Sequence, residues 1–210
     1  MKRQLKIGLA TTEILLIFIC LPLLYKFNYI PFHKAIPLLS VFLIYLIVLL
    51  FDKNFQRKVF GFNGFKSWKV IFVRFLAISV VFMVYVFIFE RQSFFIISRE
   101  RPSLWVLILL FYPLWSAYPQ ELIYRAYFFH RFRFLIKNEK LFILLNAVLF
   151  SYSHIIFNNW VALVFTFVAS IMFSYTYIKS NSLLVVFIEH MLYGNMIFTI
   201  GLGEYFYLPL

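Results

Sequence analysis

Long apolar stretches alternate with short polar and charged segments along most of the chain. Because about 20 consecutive apolar residues cross the hydrocarbon core of a bilayer as a helix, each stretch predicts one membrane span. The pattern places these spans at about residues 8–25, 36–51, 69–89, 103–130, 141–157, 160–178 and 182–203. We therefore predict an all-α fold, a polytopic transmembrane helical bundle of about seven spans.

Composition supports a membrane protein and argues against a nucleic-acid-binding one. Of the 210 residues, 64% are hydrophobic and 13% are charged, whereas a soluble domain carries about 25% charged residues. The 20 Lys and Arg outnumber the 8 Asp and Glu, but they lie mainly between the apolar stretches, as loops that set membrane topology do. The single cysteine, Cys20, excludes an intrachain disulfide.

The loop charges also predict an orientation. Most Lys and Arg fall in the segments that share a side with the N-terminus, and such segments are usually cytoplasmic. We expect a cytoplasmic N-terminus and, with seven spans, a C-terminus on the other side. The first apolar segment has no clear small-x-small cleavage site, so we expect it to be retained as a helix. The short, loop-poor form suggests a bacterial plasma membrane protein.

The fourth predicted span, 103–130, is too long for one simple crossing and contains two prolines. Pro113 and Pro119 each lack a backbone donor, which bends or breaks a helix. We therefore predict a kink just before Gln120 and Glu121. Irregular backbone at membrane depth occurs where protein or a water-filled cavity covers it.

Ionisable residues inside spans are costly and usually face the bundle interior or a cavity. Glu121 and Arg125 are four residues apart, so they share a helix face and can form an ion pair. Glu189 and His190 are adjacent, about 100° apart around a helix, so they need not share a site. The full set is Arg74, Glu121, Arg125, His154, Glu189 and His190, with Glu13 near the start of the first span.

Three of these residues fall at similar depths. At a rise of about 1.5 Å per residue, Glu121, His154 and His190 lie roughly 15, 20 and 12 Å from the inner surface. Three separate helices can therefore place one carboxylate and two imidazoles in a single layer. This convergence predicts a functional site more strongly than any of the residues alone.

The order and spacing of these residues resemble the CPBP family of intramembrane proteases, which includes the type II CAAX prenyl endopeptidases and the bacterial Abi proteins. The resemblance covers roughly residues 102–202. That family carries Glu-Glu-x-x-x-Arg, then Phe-x-x-x-His, then His-x-x-x-Asn. The corresponding positions here are Gln120, Glu121 and Arg125, then Phe150 and His154, then His190 with Gly194 and Asn195.

Two positions depart from the family pattern. Gln120 stands where the family has the first glutamate, the one usually taken to activate water. Gly194 stands at the asparagine position, and Asn195 follows one residue later. On a regular helix that offset turns the side chain by about 100°.

The resemblance implies an intramembrane endopeptidase that acts on a membrane-associated protein or peptide in the lipid bilayer, with no nucleic-acid partner. The family suggests a carboxylate base, and Glu121 is the only carboxylate at this motif. We therefore hypothesise that Glu121, despite Arg125, activates water as the base, while His154, His190 and Asn195 orient water and stabilise charge. Gln120, Arg125 and Phe150 are expected to support them. The expected organisation is N-terminal transmembrane helices over 1–101, the protease-like core over 102–203 and a tail over 204–210.

Other functions stay open at this point. Two histidines and a glutamate could bind zinc, but there is no His-Glu-x-x-His helix and Arg125 disfavours an added cation, so we expect no cofactor. The Gln120 substitution leaves a catalytically impaired family member, acting as a membrane scaffold or immunity protein, as the main alternative. A transporter is a third possibility, although no internal repeat is visible.

Overall fold

The computed structural model describes residues 2–62 and 68–206, which fold into helices joined by short loops. No strand occurs within these two ranges. The helices are α1 (Arg3–Lys26), α2 (Ala35–Phe51), α3 (Trp68–Phe89), α4 (Ile96–Glu100), α5 (Pro102–Phe132), α6 (Glu139–Ser153), α7 (Trp160–Ser180) and α8 (Leu183–Ile200). Three 3₁₀ turns follow loops or helix ends, at Arg57–Phe60, His154–Phe157 and Leu202–Phe206.

The polytopic helical bundle predicted from the sequence is confirmed. By length and composition, 6 described helices can cross a membrane: α1, α3, α5, α7, α8, and α6 together with its 3₁₀ turn (Glu139–Phe157). The remaining predicted span corresponds to α2, which has 17 residues and is apolar but shorter. Of the predicted tail, residues 207–210 lie outside the described residues.

Helix α5 stays continuous through both prolines, and the kink expected just before Gln120 and Glu121 stays a prediction. Pro113 begins a π-helical segment, Pro113–Ala117, and a second π-helical segment covers Leu122–Tyr127. A π turn bonds residues five apart and so widens the helix, which accommodates a residue that cannot donate its own backbone bond. Gln120 and Glu121 lie on the α-helical turn between the two π segments.

The helices that form the centre begin at polar caps. Asn138, Asn159 and Ser182 each accept a hydrogen bond from the backbone N–H three residues later, at the starts of α6, α7 and α8. Such caps satisfy backbone donors that a helix start leaves free. Helix α8 ends at Gly201, whose φ of 112° favours glycine, and an added Cβ there would collide with the Ser93 carbonyl.

Burial shows which helices surround the site. The buried share of residues is 17% in α1 and in α3 but reaches 50% in α8. The peripheral helices present Leu, Ile, Val and Phe side chains to the outside, as expected for a surface in contact with lipid. Phe18 of α1 is an exception: its buried ring makes edge contacts with Tyr124 and Phe128 of α5, at centroid distances of 5.3 and 5.4 Å.

The loops separate onto two faces of the bundle. The N-terminal face carries the start of α1 and the loops after α2, α5 and α7, whereas the opposite face carries the loops before α2 and α5, before α7, and after α8. Contacts on the N-terminal face join Lys6 to Phe134, Asp52 to His130, Glu13 to Arg131 and Gly61 to Ser182; those on the opposite face join Lys34 to Phe206 and Asn159 to Tyr205. The cytoplasmic placement of the N-terminal face and the bacterial plasma membrane stay predictions.

Candidate active site

A buried carboxylate and imidazole from two helices form the centre of the site. The Oε1 atom of Glu121 on α5 lies 2.7 Å from Nδ1 of His190 on α8. Both residues are buried, with exposures of 0% and 7%. A carboxylate accepts, so Nδ1–H of His190 donates, and this fixes Nε2 as the unprotonated nitrogen of the neutral ring.

The second oxygen of Glu121 forms the ion pair expected from the i, i+4 spacing. Its Oε2 atom lies 3.3 Å from Nε of Arg125. Arg125 is fully buried, and its Nη1 and Nη2 atoms donate to Oδ1 of Asn146 at 2.8 Å and to Oγ of Ser170 at 3.2 Å. These partners satisfy Nη1 and Nη2 of a guanidinium that is costly to bury, while Nε and the Glu121 Oε2 atom interact as an ion pair without a hydrogen bond in the described structure.

Asn146 is a residue that the sequence analysis missed. Its Oδ1 atom accepts hydrogen bonds from Arg125, Ser170 and Ser174, and its Nδ2 atom donates to the Tyr124 carbonyl at 2.8 Å. The available signal was the i, i+4 pair of serines on α7, because two small polar residues on one face of an apolar helix indicate a hydrogen-bonding partner across it.

His154 lies at the end of α6, in the first position of the 3₁₀ turn. Its Nδ1–H donates to the Phe150 carbonyl at 2.8 Å, so its Nε2 is also an acceptor. The ring of Phe150 lies near both imidazoles, with centroids 4.9 Å from His154 and 6.1 Å from His190. Phe173 stacks on His190 at 4.7 Å. Aromatic rings therefore fix the orientation of His190.

A cavity of about 1100 Å³ lies beside these groups. Its lining includes His154, His190 and Gln120, and most of the remaining lining is apolar. Neither Glu121 nor Arg125 is among the described residues that line it. The two imidazoles therefore face the cavity, while the ion pair lies behind them.

The cavity extends along the bundle and to its side. It reaches Lys34 and Glu204 on the opposite face. Leu107, Phe111 and Trp115 of α5 also line it, although 50%, 51% and 54% of their surfaces are exposed on the bundle. These exposed side chains form a wall of the cavity on α5.

The residues at the two departures from the family motifs differ in their position relative to the cavity. Gln120 lines the cavity and donates from Nε2 to Ser116 Oγ at 2.8 Å, while its Oε1 is buried without a hydrogen-bond partner in the described structure. Asn195 donates to the Leu109 carbonyl at 3.4 Å and is not among the described cavity-lining residues. Its predicted catalytic role stays a prediction.

A second ion pair joins α8 to α3. Glu189, fully buried, bonds to Arg74, which also donates to Oγ1 of Thr176 at 3.1 Å. Glu189 thus has a different partner from His190, in agreement with the expectation that the two adjacent residues need not share a site. Within residues 2–62 and 68–206, no group of 3 or more His, Cys, Asp or Glu side chains has a metal-ligating arrangement. The expectation of a metal-independent protein stays a prediction.

The fold and site define an integral membrane protein with a buried carboxylate–imidazole pair beside an internal cavity. The family model described as type II CAAX prenyl endopeptidase Rce1-like matches residues 102–196. That segment contains every motif residue named above, and the match confirms its resemblance to the CPBP family. No curated protein and no solved structure matches the chain.

Proposed function

We propose that the protein is an intramembrane endopeptidase that hydrolyses a peptide bond of a membrane-associated protein or peptide. The observation that carries this proposal is the 2.7 Å bond between Glu121 and His190, with His190 facing the cavity. The match of residues 102–196 to an endopeptidase family supports the same reaction class.

The geometry favours His190, supported by Glu121, as the group that takes the proton from water. The sequence-based hypothesis gave that step to Glu121 itself, but Glu121 is fully buried and does not line the described cavity. In the proposed reaction, water attacks the substrate carbonyl carbon while His190 Nε2 accepts one water proton. Glu121 holds the ring in the correct tautomer and stabilises the imidazolium, as a buried carboxylate does in a catalytic triad.

The reaction is completed when the tetrahedral intermediate collapses. The carbon–nitrogen bond breaks, and the proton held on His190 Nε2 passes to the leaving amine, which restores the neutral ring. His154 offers a second unprotonated Nε2 in the same cavity, and it orients the attacking water by accepting its other hydrogen. Arg125 holds the Glu121 carboxylate in position through the ion pair at 3.3 Å.

The shape and lining of the cavity support a membrane-associated substrate. Its volume of about 1100 Å³ exceeds the range of about 300–1,000 Å³ usual for small-molecule pockets. The exposed rims formed by Leu107, Phe111 and Trp115 allow an apolar segment to enter from the lipid side. A polypeptide with a membrane-embedded anchor fits this route better than a free water-soluble peptide.

The test is cleavage of a library of membrane-anchored peptides by the purified full-length protein in detergent. We expect Glu121→Gln to lower kcat by about 10⁴-fold, as loss of the orienting carboxylate does in a triad, and His190→Gln to lower it at least as much. His130→Gln is the matched control, because His130 bonds to Asp52 on the N-terminal face and is not a described cavity-lining residue. Full activity of well-folded His190→Gln would refute the mechanism.

The substitution at Gln120 favours one competing function, a catalytically impaired scaffold. The buried network of Arg125, Asn146 and Ser170 would stabilise the bundle with or without catalysis. Cleavage by the wild-type protein and by Gln120→Glu distinguishes the two functions. If the protein is a scaffold, the wild-type protein does not cleave and cleavage occurs only after Gln120→Glu. Cleavage by the wild-type protein that disappears in His190→Gln supports the protease.

A further inference from the structure

Gly194 on α8 is held against the phenol ring of Tyr112 on α5. An added Cβ at Gly194 would collide with the Tyr112 ring and its hydroxyl oxygen. Gly194 occupies the position at which the family motif His-x-x-x-Asn has asparagine. The Tyr112 hydroxyl therefore lies in the space that the first atoms of that asparagine side chain would fill.

The site needs a hydrogen-bond donor that its imidazoles do not supply. In their neutral forms, His154 and His190 each use Nδ1–H on a protein acceptor, so both present only an accepting Nε2. The negative charge that develops on a substrate carbonyl oxygen requires donors aimed at it. Another side chain must provide this contact.

The amide and guanidinium groups near the site direct N–H donors at protein acceptors. Arg125 donates to Asn146 and Ser170, the Gln120 amide donates to Ser116, and the Asn195 amide donates to the Leu109 carbonyl. Arg125 and Asn195 are also absent from the described cavity lining. These groups are therefore poorly placed to hold an oxyanion.

Tyr112 satisfies the requirement. Its side chain lines the cavity, and its hydroxyl has no hydrogen bond to any described residue. Its ring contacts His190 edge to face, with centroids 6.2 Å apart and an interplanar angle of 70°. The hydroxyl and the proposed base thus border the same space, into which a scissile carbonyl can fit.

We propose that Tyr112 is a catalytic residue whose hydroxyl donates the hydrogen bond to the oxyanion, in place of the asparagine that Gly194 replaces. This inference rests on the proposed function. When water adds to the carbonyl carbon, the carbonyl π electrons move to oxygen and His190 takes the water proton. Tyr112 keeps its own proton throughout and stabilises the oxyanion by hydrogen bonding alone.

Tyr112→Phe tests the donor without removing the ring. Loss of one oxyanion donor lowers kcat by about 10²–10³-fold, and KM should stay within about threefold because the contact forms in the transition state. Tyr118→Phe is the matched control, since Tyr118 lies on the same helix, packs on Phe42 and Phe187, and is not a described cavity-lining residue. A kcat for Tyr112→Phe within about threefold of wild type would overturn the inference.

A second pair of variants tests the replacement itself. Tyr112→Ala vacates the space above residue 194, and Gly194→Asn then has room for the family side chain. We expect the double variant to recover at least about tenfold in kcat over Tyr112→Ala alone, because a donor returns to the oxyanion. No recovery, with the double variant folded, counts against the exchange of Tyr112 for asparagine.

A binding measurement separates this inference from the proposed function. A phosphinic peptide carries a tetrahedral phosphorus whose oxygens mimic those of the tetrahedral intermediate. The matching substrate peptide has a planar amide at that position. We expect Tyr112→Phe to weaken phosphinic-peptide binding by about 10²-fold and to leave peptide binding unchanged. Equal effects on both ligands refute the role of Tyr112. Failure of His190→Gln to affect cleavage would instead refute the proposed function.

Discussion

Asn146 offers the sharpest test of how the buried network holds the site. Substituting Asn146→Leu keeps the side-chain volume but removes all four of its hydrogen bonds, to Arg125, Ser170, Ser174 and the Tyr124 carbonyl. The guanidinium that fixes Glu121 then loses its shortest partner, the 2.8 Å bond from Nη1. Both stability and activity should respond.

The expected loss of stability follows from these bonds. Polar contacts between membrane helices contribute about 0.6 kcal/mol each on average, and a bond from a charged donor contributes about 1.5 kcal/mol or more. Three neutral bonds and one charged bond together give a loss of about 3 kcal/mol. This loss is far smaller than the cost of exposing the same polar groups to hydrocarbon. In the unfolded state within a membrane, these polar groups also find hydrogen-bond partners.

The assay is equilibrium unfolding of the purified protein in mixed micelles with increasing SDS, followed by helical circular dichroism. Asn195→Leu is the control, since Asn195 makes one long 3.4 Å bond and its Oδ1 atom is already unpartnered in the described structure. We expect that control to change stability by less than about 1 kcal/mol. If Asn146→Leu costs no more than Asn195→Leu, the network does not stabilise the bundle as argued.

Three further predictions concern single residues. Gln120→Glu should change the rate constant of single-turnover cleavage by less than about tenfold, because the proposed mechanism uses His190 and not residue 120 as the base. Gly201→Ala should destabilise the protein by about 2 kcal/mol or more in thermal unfolding, since it combines a left-handed backbone with a collision against the Ser93 carbonyl. Burial lowers the pKa of Lys34 to about 8, so the unfolded state binds more protons between about pH 8 and 10.5 and wild-type stability should rise with pH there relative to Lys34→Met.

Each of these predictions has a result that contradicts it. An increase of about 10²-fold in the cleavage rate constant of Gln120→Glu would mean that the natural chain lacks its catalytic base. Gly8→Ala is the control for Gly201→Ala, because nothing lies within 4 Å of a Cβ added at Gly8. Parallel stability–pH curves for wild type and Lys34→Met would show that the lysine is not desolvated in the folded protein.

The sequence predicted the helices and the central pair of residues well. Span boundaries at 69–89 and 160–178 agree closely with Trp68–Phe89 and Trp160–Ser180, because hydrocarbon thickness sets helix length directly. The depth comparison brought Glu121 and His190 into one layer, and the structure joins them at 2.7 Å. Hydrophobic periodicity and the depth of a residue in the membrane are properties of a single helix. They can therefore be predicted from the sequence.

What the sequence did not predict depends on how helices rotate against one another. The prolines of α5 predicted a kink but could not show that π-helical segments would lie at Pro113–Ala117 and Leu122–Tyr127. Asn146 is uncharged, so a search for ionisable residues passed over it. The contact of Tyr112 with Gly194 lies between positions 82 residues apart on different helices, and the missing Cβ at Gly194 becomes meaningful only when its neighbour is known.

The neighbouring residues Glu189 and His190 constrain the register of α8 in the folded bundle. One bonds to Arg74 on α3 and the other to Glu121 on α5, in directions about 100° apart. Lipid tails give little preference among the packings of apolar helices, so polar pairs and close packing must select one. Both bonds form together at one rotation of α8 about its axis and one position along that axis. A shift of α8 by one residue relative to α3 and α5 would break both bonds. Correct packing of α8 and formation of the Glu121–His190 pair therefore occur together, so a misassembled bundle lacks the pair on which the proposed cleavage depends.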